Sequence, residues 1–309
     1  MLKGPDAMPS ANQKFMLPAL SLLLGLAAAG LRLWQRLAAY DESGLPIPMA
    51  IPSVVLVVAL LAAAALFLAL SLRLPKTVEQ QELRGDSVTA LLLMVCAGLM
   101  LVSAVVGLMS FASGYQEAAA GAASAQLRSE AVRQFFLSSV LTLILSVAAV
   151  PTAVALAYRA KQIRAEQPPA SGFAALMPAF YCWIWLIEAY RQHTANPIVW
   201  DYVFLLFAII GQLISAYYRA GFFYGVGKPR PAVFVSLLAQ LFTVVAITDC
   251  GEALSILILI LFLLYNLAEL LTILPLVLAP PYQPRRLARE PADPAPSDHP
   301  DTQEEEAHE

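Results

Sequence analysis

The sequence predicts an all-α polytopic membrane bundle of eight transmembrane helices with both termini inside. Three observations predict it. Hydrophobic residues make up 59% of the chain and charged residues 13%, against ~25% charged in an ordinary soluble domain. Eight apolar runs cover roughly 15–35, 50–74, 88–112, 134–158, 173–190, 201–220, 231–248 and 254–278. Each approaches the ~20 helical residues that cross a ~30 Å hydrocarbon core. The basic residues also alternate between the loops.

With the N-terminus inside, 14 of the 19 Lys and Arg fall in inner segments. They include Arg73, Lys76, Arg84, Arg159, Lys161, Arg164, Arg219, Lys228 and Arg230. The outer segments hold five: Arg32, Arg36, Arg128, Arg133 and Arg191. This asymmetry follows the positive-inside rule. Trp34, Trp183, Trp185 and Trp200 lie at or near outer run ends, and Tyr217, Tyr218, Phe222, Phe223 and Tyr224 gather at an inner one, as interfacial belts do.

Run one has features of a signal peptide: Lys3 and Lys14, an apolar stretch and Ala27-Ala28-Ala29. Its apolar stretch continues to Trp34, longer than a typical signal core, so an uncleaved span is expected. Arg32 and Arg36 are then expected to snorkel to the outer surface.

Three regions follow. Residues 1–14 form a cytoplasmic N-terminal segment, 15–279 the membrane domain, and 280–309 a Pro-rich acidic cytoplasmic tail expected to be disordered. From Arg285 onward three Arg meet eight Asp or Glu, so the net charge of −3 comes from the tail and the remainder is +2. No basic patch asks for nucleic acid, and the partner the chain implies is the lipid bilayer. Arg285, Arg286 and Arg289 are placed to touch anionic headgroups. The Ala-rich stretch 117–132 favours helix and is expected to extend runs three and four.

Runs one and five begin alike (Leu17-Pro18-Ala19-Leu20; Met177-Pro178-Ala179-Phe180), and each pair of runs closes on a basic inner turn (Leu74-Pro75-Lys76; Gly227-Lys228-Pro229-Arg230). This is a weak 4+4 likeness; chance similarity in Leu- and Ala-rich sequence is the simpler explanation.

Polar residues at membrane depth are the functional pointers. Gln212 lies ~17 Å from the outer end of run six and Gln240 ~14 Å from the inner end of run seven. Both amides therefore reach one layer, either to bond each other or to line a solute path. Glu269 lies deep in run eight, with Asn266 three residues earlier on the same face. Its carboxyl needs a cation or water, and Arg159 and Arg219 are the candidate cations. An outer-face cluster holds Glu188, Arg191, His193 and Asp201; Glu188 and Arg191 are spaced to pair, and His193 could sense pH. Gly211-x-x-x-Ser215 and Ser103-x-x-x-Gly107 are close-packing signals.

Cys96, Cys182 and Cys250 lack CxxC spacing, so neither a disulfide framework nor a metal site follows. The sequence has no P-loop, HExxH, GxSxG or dinucleotide fingerprint, and no catalytic or cofactor-binding set is assigned.

Leu31-Arg32-Leu33-Trp34-Gln35, then Asp41-Glu42-Ser43-Gly44-Leu45-Pro46, then Tyr190-Arg191 to Pro197, and Tyr217 to Arg230 together resemble an uncharacterised multi-pass family of clostridial bacteria. The resemblance covers most of the membrane region and implies a bacterial cytoplasmic membrane; it brings no activity. The expected function is a non-enzymatic membrane protein (scaffold, sensor or accessory subunit). The alternative is a small-solute transporter using Glu269 and the Gln212/Gln240 layer.

Overall fold

A computed structural model describes residues 11–41, 45–76, 86–120, 125–165, 172–194 and 198–278. The expected tail, together with Lys3, Arg84, Asn196 and Pro197, lies outside them. Eight long helices are described: α1 (Ala11–Ala38), α2 (Ile51–Leu72), α3 (Ser87–Ala120), α4 (Ala125–Arg164), α5 (Gly172–His193), α6 (Val203–Phe223), α7 (Pro229–Asp249) and α8 (Ala253–Leu278). All eight are long and apolar enough to cross a membrane. Each contains one of the runs seen in the sequence, apart from a few residues at run ends. Pro52 and Pro229 sit in the first turns of α2 and α7, where a missing N–H costs nothing.

The buried share of the spanning stretch falls from 67% in α8 and 61% in α7 to 17% in α2. Helices α7 and α8 are therefore the axis. Around them, α7 packs on α1, α2, α6 and α8, and α8 also packs on α3. Helix α2 touches α1 and α7 and shows the rest of its surface to lipid. Val57, Val58, Leu61 and Leu66 are exposed there, as a bilayer permits.

Two small-residue positions set close approaches between helices. A Cβ on Gly211 of α6 would lie 3.1 Å from both Cα and Cβ of Ala239 in α7. One on Gly107 of α3 would meet Ser146 of α4. Both motifs read from the sequence thus work as packing faces. Helices α3 and α4 have 34 and 40 residues, or ~51 and ~60 Å. They run well past the sequence runs, and the 117–120 and 125–132 parts of the Ala-rich stretch are helical as expected. Phe111 packs against Phe135 and Phe136 between them.

Contacts define two faces. On one, the end of α1 meets the end of α7, the start of α2 and the turn before α6, which carries Trp200. On the other, Arg230 at the start of α7 donates to Leu74 O after α2, and Arg159 near the end of α4 stacks on Phe223 at the end of α6. We call these the Trp200 and Phe223 sides.

Gly211→Leu is expected to force α6 from α7 and lower the unfolding temperature in detergent by about 5 °C or more, the scale of an overpacked core. Gly98→Leu is the control, because a Cβ there meets nothing within 4 Å. Equal behaviour of the two variants in a thermal melt would refute the packing assignment.

Candidate functional site

Three polar layers cross the bundle, and the middle one is the most enclosed. Helix geometry puts Ser236, Gln240 and Thr243 on one stripe of α7 at i, i+4 and i+7. It puts Gln212, Ser215 and Arg219 on one stripe of α6, and Asn266 and Glu269 on one of α8. Gln212 Nε2 donates to Thr243 Oγ1 at 3.0 Å, and Asn266 Nδ2 donates to Gln212 Oε1 at 3.1 Å and to Ser236 O at 3.2 Å. The Ser215 and Ser236 hydroxyls meet at 2.6 Å. Gln212, Asn266, Ser215, Gln240 and Thr243 are all 0% exposed.

Gln212 and Gln240 do not bond each other. Gln212 is already engaged by Thr243 and Asn266, and neither amide atom of Gln240 has a hydrogen-bond partner. Depth alone could not settle the pairing, because Thr243 on the same stripe offers a nearer acceptor.

Arg219 extends this layer toward the Phe223 side. Its Nε donates to Ser215 O at 3.1 Å, and its Nη2 donates to Asn266 Oδ1 at 3.2 Å and to the Ser215 hydroxyl. Its guanidinium lies 4.6 Å from the Tyr265 ring centroid, a desolvated cation–π contact. One turn along α8, Glu269 accepts from Arg159 Nη1 in an ion pair whose carboxylate side is 1% exposed. Arg159 stacks 4.6 Å over Phe223. Of the two candidate cations, Arg159 is the partner of Glu269 and Arg219 that of Asn266.

The layer on the Trp200 side corrects the reading of Arg32. This residue does not snorkel; it is 1% exposed. Its Nε faces Asp249 Oδ1 at 2.9 Å and Oδ2 at 3.1 Å, its Nη1 donates to Gln35 Oε1 and its Nη2 to Trp200 O, both at 2.7 Å. Gln35 Nε2 continues to Ser53 Oγ at 2.9 Å. One guanidinium thus joins α1, α7 and the turn before α6, and Gln35 carries the network on to α2. Arg36 does remain half-exposed and caps Thr248 O at 2.8 Å. The signal missed in the sequence was Asp249, a carboxylate closing run seven and equal in depth to Arg32.

The outer-face cluster divides. Glu188 is buried and accepts from Thr142 of α4 and from Gln192 Nε2. Arg191 does not make the expected ion pair with it; it turns to the carbonyls of Leu137 and Ser138 in α4. His193 Nδ1 lies 2.8 Å from Ala189 O, and its ring packs on Tyr202. Asp201 sits exposed in the 3-10 turn Val199–Asp201. These contacts tie α4 to α5, and they do not converge on one point. Trp185 is likewise no interfacial ring: it is buried, stacked on Phe262 of α8.

Two apolar grooves of about 400 and 290 Å³ open between α2 and the start of α6 and share Val57 and Trp200. At the mouth Met49 takes φ 57°, left-handed backbone that costs a non-glycine residue ~1–2 kcal/mol. Cys250, just past α7, is half-buried, and burial with Asp249 and Glu252 nearby pushes its thiol up to about 11. At neutral pH it is a thiol rather than a nucleophile. Among the described residues, no three or more His, Cys, Asp or Glu are grouped to hold a metal. Comparison with protein-family models, curated proteins and solved structures finds no match to this chain.

Asp249→Ala strands a buried guanidinium and is expected to cost on the order of 3–5 kcal/mol. Arg32→Met combined with Asp249→Ala should recover much of that loss. A double-mutant cycle by thermal melting measures this; a double variant no more stable than the single one would contradict a coupled pair.

Proposed function

We propose that this multi-pass membrane protein is non-enzymatic, a scaffold, sensor or accessory subunit of a bacterial cytoplasmic membrane. One observation carries the reading: buried polar groups mainly bond from helix to helix. Arg32 joins to Asp249, Gln212 to Thr243 and Asn266, and Arg159 to Glu269. Such ties fix helix pairing, and no nucleophile with its activating base stands among them. The clostridial resemblance agrees in bringing no activity.

Orientation is part of the proposal. The Phe223 side is cytoplasmic and carries both termini. The support is the 14-to-5 distribution of basic residues. It survives when the buried cations are set aside: without Arg159 and Arg219 the inner count is 12, and without Arg32 the outer count is 4.

A second reading, small-solute transport, is favoured by one feature. Gln240 is fully buried with both amide atoms unpartnered, beside the Gln212 and Asn266 layer. An unpaired buried amide costs ~1–3 kcal/mol, a cost that a polar solute could offset.

Glu269→Gln separates the readings. As a structural ion pair, its loss leaves Arg159 without its carboxylate and is expected to lower the unfolding temperature by about 5 °C or more. Unchanged stability together with loss of pH-dependent solute uptake would replace scaffold with transporter. For orientation, reporter fusions after Arg164 and after Glu309 should read cytoplasm, and one between Ser43 and Pro48 exterior. An exterior C-terminus would overturn the threading.

A further inference from the structure

Arg219 is 2% exposed, and its Nη1 has no hydrogen-bond partner. A guanidinium carries five N–H donors. Those that are used reach Ser215 and Asn266, both neutral, and the flat face rests on Tyr265. None of these partners cancels the charge.

A second guanidinium, that of Arg159, is close enough to act on this charge. Two independent anchors place it beside Arg219. On α8, Arg159 is held at Glu269 and Arg219 at Asn266, three residues apart. On α6, Arg159 stacks on Phe223, four residues from Arg219. Residues so spaced are neighbours on one helix face, ~5–6 Å apart. Two cations thus sit near one another toward the Phe223 side of the core, with one carboxyl, bonded to Arg159, to offset both. Even with Glu269 ionised, one positive charge is left over where water is scarce. Lone charges in such surroundings are strongly disfavoured, and opposite charge is the remedy.

We infer that the Arg159–Arg219 pair binds one small monovalent anion of about the size of chloride. Arg219 Nη1 supplies a free donor, and Arg159 contributes the guanidinium edge that Glu269 leaves unused. Tyr265, Phe223 and Asn266 pack directly on the pair, which favours a small anion over a bulky one. Entry is from the Phe223 side, where the Arg159 side chain keeps 10% of its surface exposed. The site holds whether the protein is a scaffold or a transporter, since it needs no translocation path.

The test uses the full-length protein in detergent, melted in sodium gluconate that is replaced stepwise by sodium chloride at constant ionic strength. The expected result is a saturable rise in unfolding temperature with chloride. Glu269→Gln removes the competing carboxylate, so its chloride midpoint should fall at least tenfold, whatever its starting stability. Arg219→Lys keeps the charge and loses the fork, so its midpoint should rise at least fivefold; Arg219→Gln, if it folds, should not respond at all. Opposite shifts from two destabilising variants are what a purely structural cluster would not give. A wild-type protein with no saturable response, or a Glu269→Gln midpoint equal to or above that of the wild type, overturns the proposal.

Discussion

At hydrocarbon depth a polar side chain has only the protein to bond with, and the meeting of α6, α7 and α8 is where this bundle answers that constraint. Gln212, Thr243, Ser236, Ser215, Asn266 and Arg219 form one connected network with no exposed member. The network requires the three stripes to face one another. That in turn requires α6 and α7 to approach closely enough for Gly211 to rest on Ala239. Each interhelical bond is worth ~0.6 kcal/mol in direct measurements. The larger consequence is specificity, because any rotation of one helix would leave several buried donors without acceptors.

The other two layers act on the elements the middle one does not reach. The Arg32 guanidinium with Gln35 gathers α1, α2 and α7 on the Trp200 side, and Arg159 with Glu269 ties α4 to α8 on the other. Thr142 with Glu188, and Arg191 with two α4 carbonyls, join α4 to α5. Apolar packing fills the space between: Trp185 and Tyr181 of α5 lie against Phe262, and Cys96 sits against α8. Helix α2 enters this scheme through Ser53 and its contacts with α1 and α7, which fits both its lipid-facing surface and the groove beside it.

The helices themselves were legible because a span is a run of apolar residues, a one-dimensional property. So were Gly211 and Gly107 as close approaches, since small residues four apart mark a face. Partner choice was less legible. Glu269 was expected to need Arg159 or Arg219, and hydropathy could not say which; the α4–α8 contact that decides it is a matter of three-dimensional packing. Arg32 was misread because snorkelling was judged from its own position, without Asp249 at matching depth 217 residues later. Of the two expectations for Gln240, the bond to Gln212 is not made, because depth fixes a layer without saying which residue of one stripe lies nearest, and Thr243 takes that bond. Trp185 shows the same gap: its place near a run end said nothing of the Phe262 ring beneath it.

Crosslinking tests most directly the claim that the middle layer sets how α6 meets α7. In a full-length chain with its three native cysteines replaced by alanine, Gln212→Cys and Thr243→Cys would be introduced together and treated in native membranes with a short thiol-to-thiol crosslinker. Efficient crosslinking is expected, because the native side chains meet at 3.0 Å and the reagent replaces the length that the shorter cysteine at 212 gives up. Gln212→Cys with Leu237→Cys should remain uncrosslinked, since Leu237 packs with Leu17 and Phe67 on the α1 and α2 side. Crosslinking of the Leu237 pair in preference to the Thr243 pair would contradict the register of α7 and the network built on it.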